Sequence, residues 1–306
     1  MGQDSTRAFV TGKFHWLCLL LCLYSAAFCF GQDRTTPCAR CAEWNRPQQP
    51  FRIFGNTYYV GTHGLSSILI TSDRGHVLID GALPESAQQI AVNVRSLGFR
   101  IADVKVIVNS HVHFDHAGGI AELQRLSGAR VEASPWSEAV LKSGQPGKGD
   151  PQYVGGIPIA HVANVRRLED GGQIRVGEIV ITEHYTPGHT PGGTSWTWKS
   201  CEGSVCRNIV YADSLAPVSS AAFRFSSATD YPNAVADFDK SFAFLETTPC
   251  DILITPHPEA SSLWDHLESR QKGISPDPLV NPAACRELAG QAREAWQKRL
   301  AQERGK

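Results

Sequence analysis

The sequence predicts an α/β chain folded as an αββα sandwich, two packed β-sheets with helices on both outer faces. Three observations predict it. Short β-prone runs fall into an early and a late set. Helical periodicity separates several of these runs. Polar, histidine-bearing loops follow directly on apolar strands. Apolar content of 42% is that of an ordinary soluble globular chain, and a charged content of 19% is slightly sparse.

The elements follow in order. Residues 32–50 are polar and Pro-containing, and are expected to form an irregular arm on the folded body. From Phe51 the pattern turns strand-like. Tyr58-Tyr59-Val60, Ser67 to Ile70 and His76 to Ile79 are β-prone runs punctuated by Gly55, Gly61, Gly64 and Gly75. Pro84 to Leu97 predicts a helix, with Pro84 in its first turn, Ala87, Ile90, Ala91, Val94 and Leu97 on one face, and Gly98 closing it. Val104 to Val108 reads as a buried strand, and Ala117 to Leu126 as the next helix. In the second half, Glu178 to Thr182, Ser195 to Trp198 and Asn208 to Tyr211 read as strands. A helix is expected over Asn233 to Leu245, a buried strand over Asp251 to Ile254, and a closing helix from Pro282 to about Arg299. No linker divides the chain, so 32–306 is expected to be a single domain.

The first residues have a different character. Lys13 precedes the apolar run Phe14 to Tyr24, which is followed by Ser25, Ala26 and Ala27. This is the layout of a secretory signal, and the run is shorter than the ~20 residues of a spanning helix. Residues 1–31 are therefore read as a cleaved signal, with cleavage after Ala27 left as the other possibility. A periplasmic location without a membrane anchor follows. Cleavage after Gly31 removes Cys18, Cys22 and Cys29 from the nine cysteines and leaves six. Six cysteines in an oxidising compartment suggest disulfides, with fifteen possible connectivities. Short spacing favours Cys38–Cys41 and Cys201–Cys206, leaving Cys250–Cys285. The net charge of −1 gives no reason to expect a nucleic-acid partner. No apolar surface stripe is evident, so a monomer is expected.

The chemistry concentrates in Asn109-Ser110-His111-Val112-His113-Phe114-Asp115-His116-Ala117-Gly118-Gly119. Four metal-ligand side chains fall within six residues, just after a buried strand. Alternation in an extended loop turns His111 and His113 to one side; Asp115 and His116 turn away as the helix begins, so one loop can serve two adjacent ions. Gly118 and Gly119 are expected to leave the approach to the site clear. His189, in Thr186-Pro187-Gly188-His189-Thr190-Pro191, and His257, in Thr255-Pro256-His257-Pro258, sit at further strand ends in Pro-stiffened turns.

The run His111-Val112-His113-Phe114-Asp115-His116 resembles the HxHxDH signature of the metallo-β-lactamase superfamily. With Tyr211-Ala212-Asp213-Ser214-Leu215, where B1 and B2 enzymes carry a zinc-binding Cys at the Ser214 position, and with the segments around Trp196 and His257, the chain resembles subclass B3. The resemblance runs from about Trp44 to the C-terminal helix. It implies a zinc-dependent β-lactam hydrolase that confers antibiotic resistance, acting on penicillins, cephalosporins and carbapenems and poorly on monobactams. Two zinc ions per chain would be bound, the first by His111, His113 and His189, the second by Asp115, His116 and His257. A three-imidazole site lowers the pKa of bound water to about 7, giving a hydroxide to attack the lactam carbonyl, with Asp115 orienting it.

The resemblance also implies outer roles. Ser214 would bind the substrate carboxylate, and Gln152 would face the substrate from a loop. Relatives often carry Ser or Thr two residues after Ser214, where this chain has Ala216. Asp80 is expected to brace the histidine loop as an outer carboxylate. Some relatives pair an early Cys with one in the Gly61–Leu65 turn; here that turn holds His63. The same superfamily contains thioester and lactone hydrolases, in which Asp213 would be a bridging ligand, and this is the alternative activity. A non-catalytic zinc-binding scaffold would need a damaged ligand set, and all six expected ligands are present.

Overall fold

The central strands are buried on both faces, which is why they read as nearly unbroken apolar runs rather than alternating ones. The structure is a computed structural model and describes residues 38–305. The expected signal sequence, its cysteines and the start of the arm lie outside the described residues.

Among the described residues, a seven-stranded sheet runs β1 (Phe51–Phe54), β2 (Thr57–Tyr59), β3 (Ile68–Ser72), β4 (Gly75–Ile79), β5 (Val104–Val108), β6 (Arg130–Ala133) and β7 (Val165–Arg167), in that spatial order. It is antiparallel as far as β4 and parallel from β4 to β7. The second sheet holds β8 (Gln173–Val176), β9 (Ile179–Tyr185), β10 (Thr194–Glu202), β11 (Val205–Tyr211) and β12 (Ile252–Ile254). Only its β11–β12 pair is parallel.

Side-chain alternation then fixes the layers. Ile68, Ile70, Val77, Ile79, Val106 and Val108 pack between the sheets against Ile181, Trp196, Ile209, Tyr211 and Ile254. The intervening Leu69, Leu78 and Ile107 point the other way. There they meet Ile90 and Val94 of α2 (Ser86–Ser96), and Ile120 and Leu123 of α4 (Ile120–Ser127). On the opposite flank Val210 and Leu253 meet Phe238 and Phe242 of α6 (Ala234–Thr247) and Trp296 of α8 (Ala284–Arg304). The result is helix, sheet, sheet, helix. The remaining helices are α1 (Cys41–Trp44), α3 (Phe114–Ala117), α5 (Pro135–Ser143) and α7 (Leu263–Gln271).

Several local expectations change. The helix expected over Ala117 to Leu126 is two, α3 and α4, broken at Gly118-Gly119. A Cβ on Gly118 would lie 2.3 Å from the Phe114 carbonyl oxygen, and one on Gly119 2.2 Å from that of Gly81. These glycines therefore serve close backbone packing against the 81–84 segment rather than keeping an entrance open. The arm is also not wholly irregular, since it contains α1. Cystine bonds join Cys38 to Cys41, Cys201 to Cys206 and Cys250 to Cys285. No helix among the described residues is long and apolar enough to cross a membrane.

Candidate metal centre

The site begins where β5 ends. Asp80, at the end of β4, adopts a left-handed φ of 61°. Its two carboxylate oxygens accept hydrogen bonds from Ser110 N and Ser110 Oγ, both at 2.7 Å, and from Tyr211 OH at 2.6 Å. Trp196 Nε1 donates to Asn109 O at 3.0 Å, and Thr194 N to Ser110 O at 2.8 Å. The residues leading into His111 are thus clamped by both sheets. Asp80 grips Ser110 and not a histidine ring. Burial pushes its pKa up to about 7 against the donors from Tyr211 and Ser110.

The loop after β9 brings in His189. Thr190 O accepts from Gly188 N and Gly193 N, which folds the turn on itself, and Ser241 Oγ of α6 donates to Pro187 O at 2.6 Å. His257 follows β12. Ser66 ties this turn down, donating N to Pro256 O at 2.8 Å and Oγ to Thr255 O at 2.7 Å.

These three loops bring the six side chains into two groups. Ligand atoms of His111, His113 and His189 lie within 4.8 Å of one another, and so do those of Asp115, His116 and His257. The groups adjoin, with the His111 and His116 rings 4.4 Å apart. Asp115 Oδ2 stands 3.4 Å from both His116 Nε2 and His257 Nε2.

Outer partners orient the rings. His111 Nδ1 lies 2.7 Å from Asp213 Oδ1, His189 Nδ1 donates to Ala216 O at 2.7 Å, and His257 Nδ1 to Gly64 O at 3.2 Å. His113 presents Nε2 to both carboxylate oxygens of Asp150, at 3.1 and 2.9 Å. Each contact occupies one ring nitrogen and leaves the other free for a ligand, as in metal sites where histidines donate outward to carboxylates and carbonyls. Asp213 takes up this outer position on His111 and belongs to neither ligand group.

Electrostatics suit a cation. Burial, reinforced by neighbouring histidines, holds His189 down to about 3, and burial places His111 and His116 well below the usual range. These rings are neutral and their lone pairs available. Burial disfavours charge on His113 too, but Asp150 outweighs it and raises its pKa. Asp115 is buried, yet its pKa is lowered and not raised, with His116 Nε2 and His257 Nε2 both facing its Oδ2, so it is an anion. His111 Nε2, the ring nitrogen that its contact with Asp213 leaves free, is buried without a hydrogen-bond partner. An orphaned nitrogen of this kind is rare in folded proteins, and a divalent metal is the partner that this donor set fits.

The two groups share the floor of a cleft of about 300 Å³. Trp44, Phe114, Ile157, Ile159 and Val218 give it apolar walls, and Gln152 and Ser214 reach its lining. Trp44 packs on His257, with ring centroids 5.1 Å apart. Sequence reasoning missed Trp44 and Asp150. The first stands in a polar stretch with no helical or strand pattern. The second is one Asp in a Gly- and Pro-rich loop, with nothing local to join it to His113.

The Metallo-beta-lactamase superfamily profile matches residues 60–202. Among solved structures, the Rm3 metallo-β-lactamase superposes with a TM-score of 0.85 at 56% identity, covering 87% of this chain and 99% of that one. MEM-A1, a subclass B3 metallo-β-lactamase from a soil metagenome library, gives 0.83 at 52% identity, covering 86% and 99%. Among curated proteins, the N-acyl homoserine lactonase of Bacillus cereus is 25% identical over 154 residues, which is 42% of this chain and 55% of the lactonase. The chain thus spans about half the length of that curated relative. Identity above one half over nearly the whole of two solved enzymes, together with the sandwich and its six-residue donor set, places this chain in the metallo-β-lactamase superfamily, among the subclass B3 metallo-β-lactamases.

Proposed function

We propose that the chain hydrolyses the amide bond of β-lactams, namely penicillins, cephalosporins and carbapenems, and so confers antibiotic resistance. Two zinc ions serve it, the first held by His111, His113 and His189 and the second by Asp115, His116 and His257. The observation that carries the reading is the convergence of six donors, from loops of both sheets, on the floor of one apolar-walled cleft. Residues 1–31 act as a cleaved signal, leaving 32–306 as a single domain that works as a monomer in the periplasm.

When bound, zinc supplies Lewis acidity, polarising a carbonyl oxygen and lowering the pKa of water to about 7. The protein's own groups do the rest. Asp115, ionised although buried, is too weak a base to hold a proton near pH 7. Its part is to accept a hydrogen bond and so orient the attacking water. Ser214, in the cleft lining, would donate to the substrate carboxylate, and Gln152 would face the substrate from the opposite loop. Trp44 and Phe114 exclude water from the apolar flank. Ser214 is not a nucleophile here. Its hydroxyl has one contact, from Ala216 N at 3.5 Å, and no base among the described residues is hydrogen-bonded to it.

Purified protein is expected to hydrolyse nitrocefin, with EDTA abolishing the activity. His189→Ala with His257→Ala should lower kcat/KM by at least about a hundredfold, because loss of even an outer-shell partner costs 10–100-fold. Full activity in that double variant would refute the ligand assignment. A second reading, lactone or thioester hydrolysis with Asp213 as a bridging ligand, draws support from the lactonase likeness and from Asp213 Oδ2, which is buried without a partner. Brisk lactone or thioester cleavage without lactam cleavage would establish it instead.

A further inference from the structure

We propose that Asp150 is a positioning residue that fixes the His113 ring for the first metal and couples that metal's binding to the order of the 144–160 loop along the cleft. The inference rests on the ligand set proposed above.

Asp150 is only 3% exposed, and both of its oxygens face His113 Nε2. An acceptor on Nε2 requires the proton there and leaves Nδ1 with its lone pair free. Asp150 is therefore what selects the ligand nitrogen of His113. The same carboxylate also organises its own loop. Oδ1 accepts from Gln152 N at 2.7 Å, the Asp150 carbonyl accepts from Tyr153 N at 2.9 Å, and Asp150 N donates to Gly147 O at 2.9 Å. One side chain thus serves a ligand and the turn that presents Gln152 to the cleft.

The coupling reaches a second loop. Pro151 O accepts from Ser220 N at 2.9 Å, and the 214–220 segment supplies Ala216 O to His189 Nδ1. Two of the three first-site histidines therefore lean on segments that line the cleft. A metal that holds those rings biases both loops towards the ordered arrangement. By reciprocity, anything that orders the loops tightens the metal.

The zinc-loaded protein tests this, together with its Asp150→Asn and Asp150→Ala variants, each challenged with graded chelator while retained zinc is counted. Asp150→Ala should release one of its two zinc equivalents at a roughly 10–100-fold lower chelator concentration. Asp150→Asn keeps an acceptor for Gln152 N but loses the charge, and should fall between. Limited proteolysis supplies the second readout. Zinc should protect the 144–160 loop in the wild type and lose that effect in Asp150→Ala. If Asp150→Ala does not fold, Asp150→Asn decides. Variants that retain zinc as tightly as the wild type, with loop cleavage altered equally with and without metal, make Asp150 a turn residue only and overturn the proposal. A wild type that holds no zinc overturns the ligand set as well, so the two failures are distinguishable.

Discussion

Glu183 is poorly matched to its surroundings. It lies buried on β9, opposite Trp196 in the strand register, and neither carboxylate oxygen has a hydrogen-bond partner. Burial first, then the like charges of Asp170, Glu132 and Glu169, push its pKa from 4.5 to about 9. Between those values the folded chain holds a proton that the unfolded chain releases. Stability therefore falls as pH rises through that window, by roughly 3 kcal/mol between pH 4.5 and 7 as an upper figure. Glu183→Gln keeps the shape and removes the titration. Its melting temperature should match the wild type near pH 4.5 and exceed it by several degrees at pH 8.5. A difference that does not vary with pH would show that Glu183 is not the protonated acid. Nothing in the sequence around Glu183 announces this burial, nor the tie of Asp150 to a histidine 37 positions away. The six donors were legible because imidazoles and carboxylates at strand ends are chemically distinctive. Their outer partners are ordinary residues whose role comes only from distant chain brought near.

At the scale of elements, the Cys250–Cys285 bond joins the residue preceding Asp251 and β12 to the first turn of α8. Since β12 launches His257, that bond anchors both a layer of the sandwich and one edge of the site. It closes a separation of 35 residues, which corresponds to about 4 kcal/mol of restricted unfolded chain. Cys201–Cys206 spans 5 residues, inside a hairpin already paired at those two positions, and corresponds to about 2 kcal/mol. Replacing Cys250 and Cys285 by Ser should lower the melting temperature by on the order of 10 °C, against a few degrees for the Cys201 and Cys206 pair. Calorimetry at fixed zinc concentration checks the ranking, and the reverse order would undo the argument. The same elements show what the sequence could reveal. β4, β5 and β12 were readable because burial on both faces makes each almost wholly apolar. β6 and β7 escaped notice because Arg130, Glu132, Arg166 and Arg167 break up their apolar pattern. The gap between α3 and α4 was hidden because Gly118 and Gly119 are governed by a contact with residues 81–84, far away in sequence.

For the whole molecule, the consequence lies in where the donors come from. His111, His113, Asp115 and His116 follow β5 in one sheet, whereas His189 and His257 follow β9 and β12 in the other. A metal gripped by both sets must be released before the sheets can part at that end. Its binding free energy is therefore added to global unfolding and not to one loop. At a free zinc concentration a thousandfold above the dissociation constant, the stabilisation is about 4 kcal/mol. For a chain of this size that raises the melting temperature by on the order of 10 °C. Hydrogen exchange distinguishes this from local ordering. Zinc should slow exchange in β9, β10 and β11 as well as in β4 and β5, since opening either sheet breaks the same coordination. Protection confined to residues 109–119, or a melting temperature indifferent to zinc and EDTA, would mean that the metal does not bridge the sheets, and the two donor groups would then have to act as separate local sites.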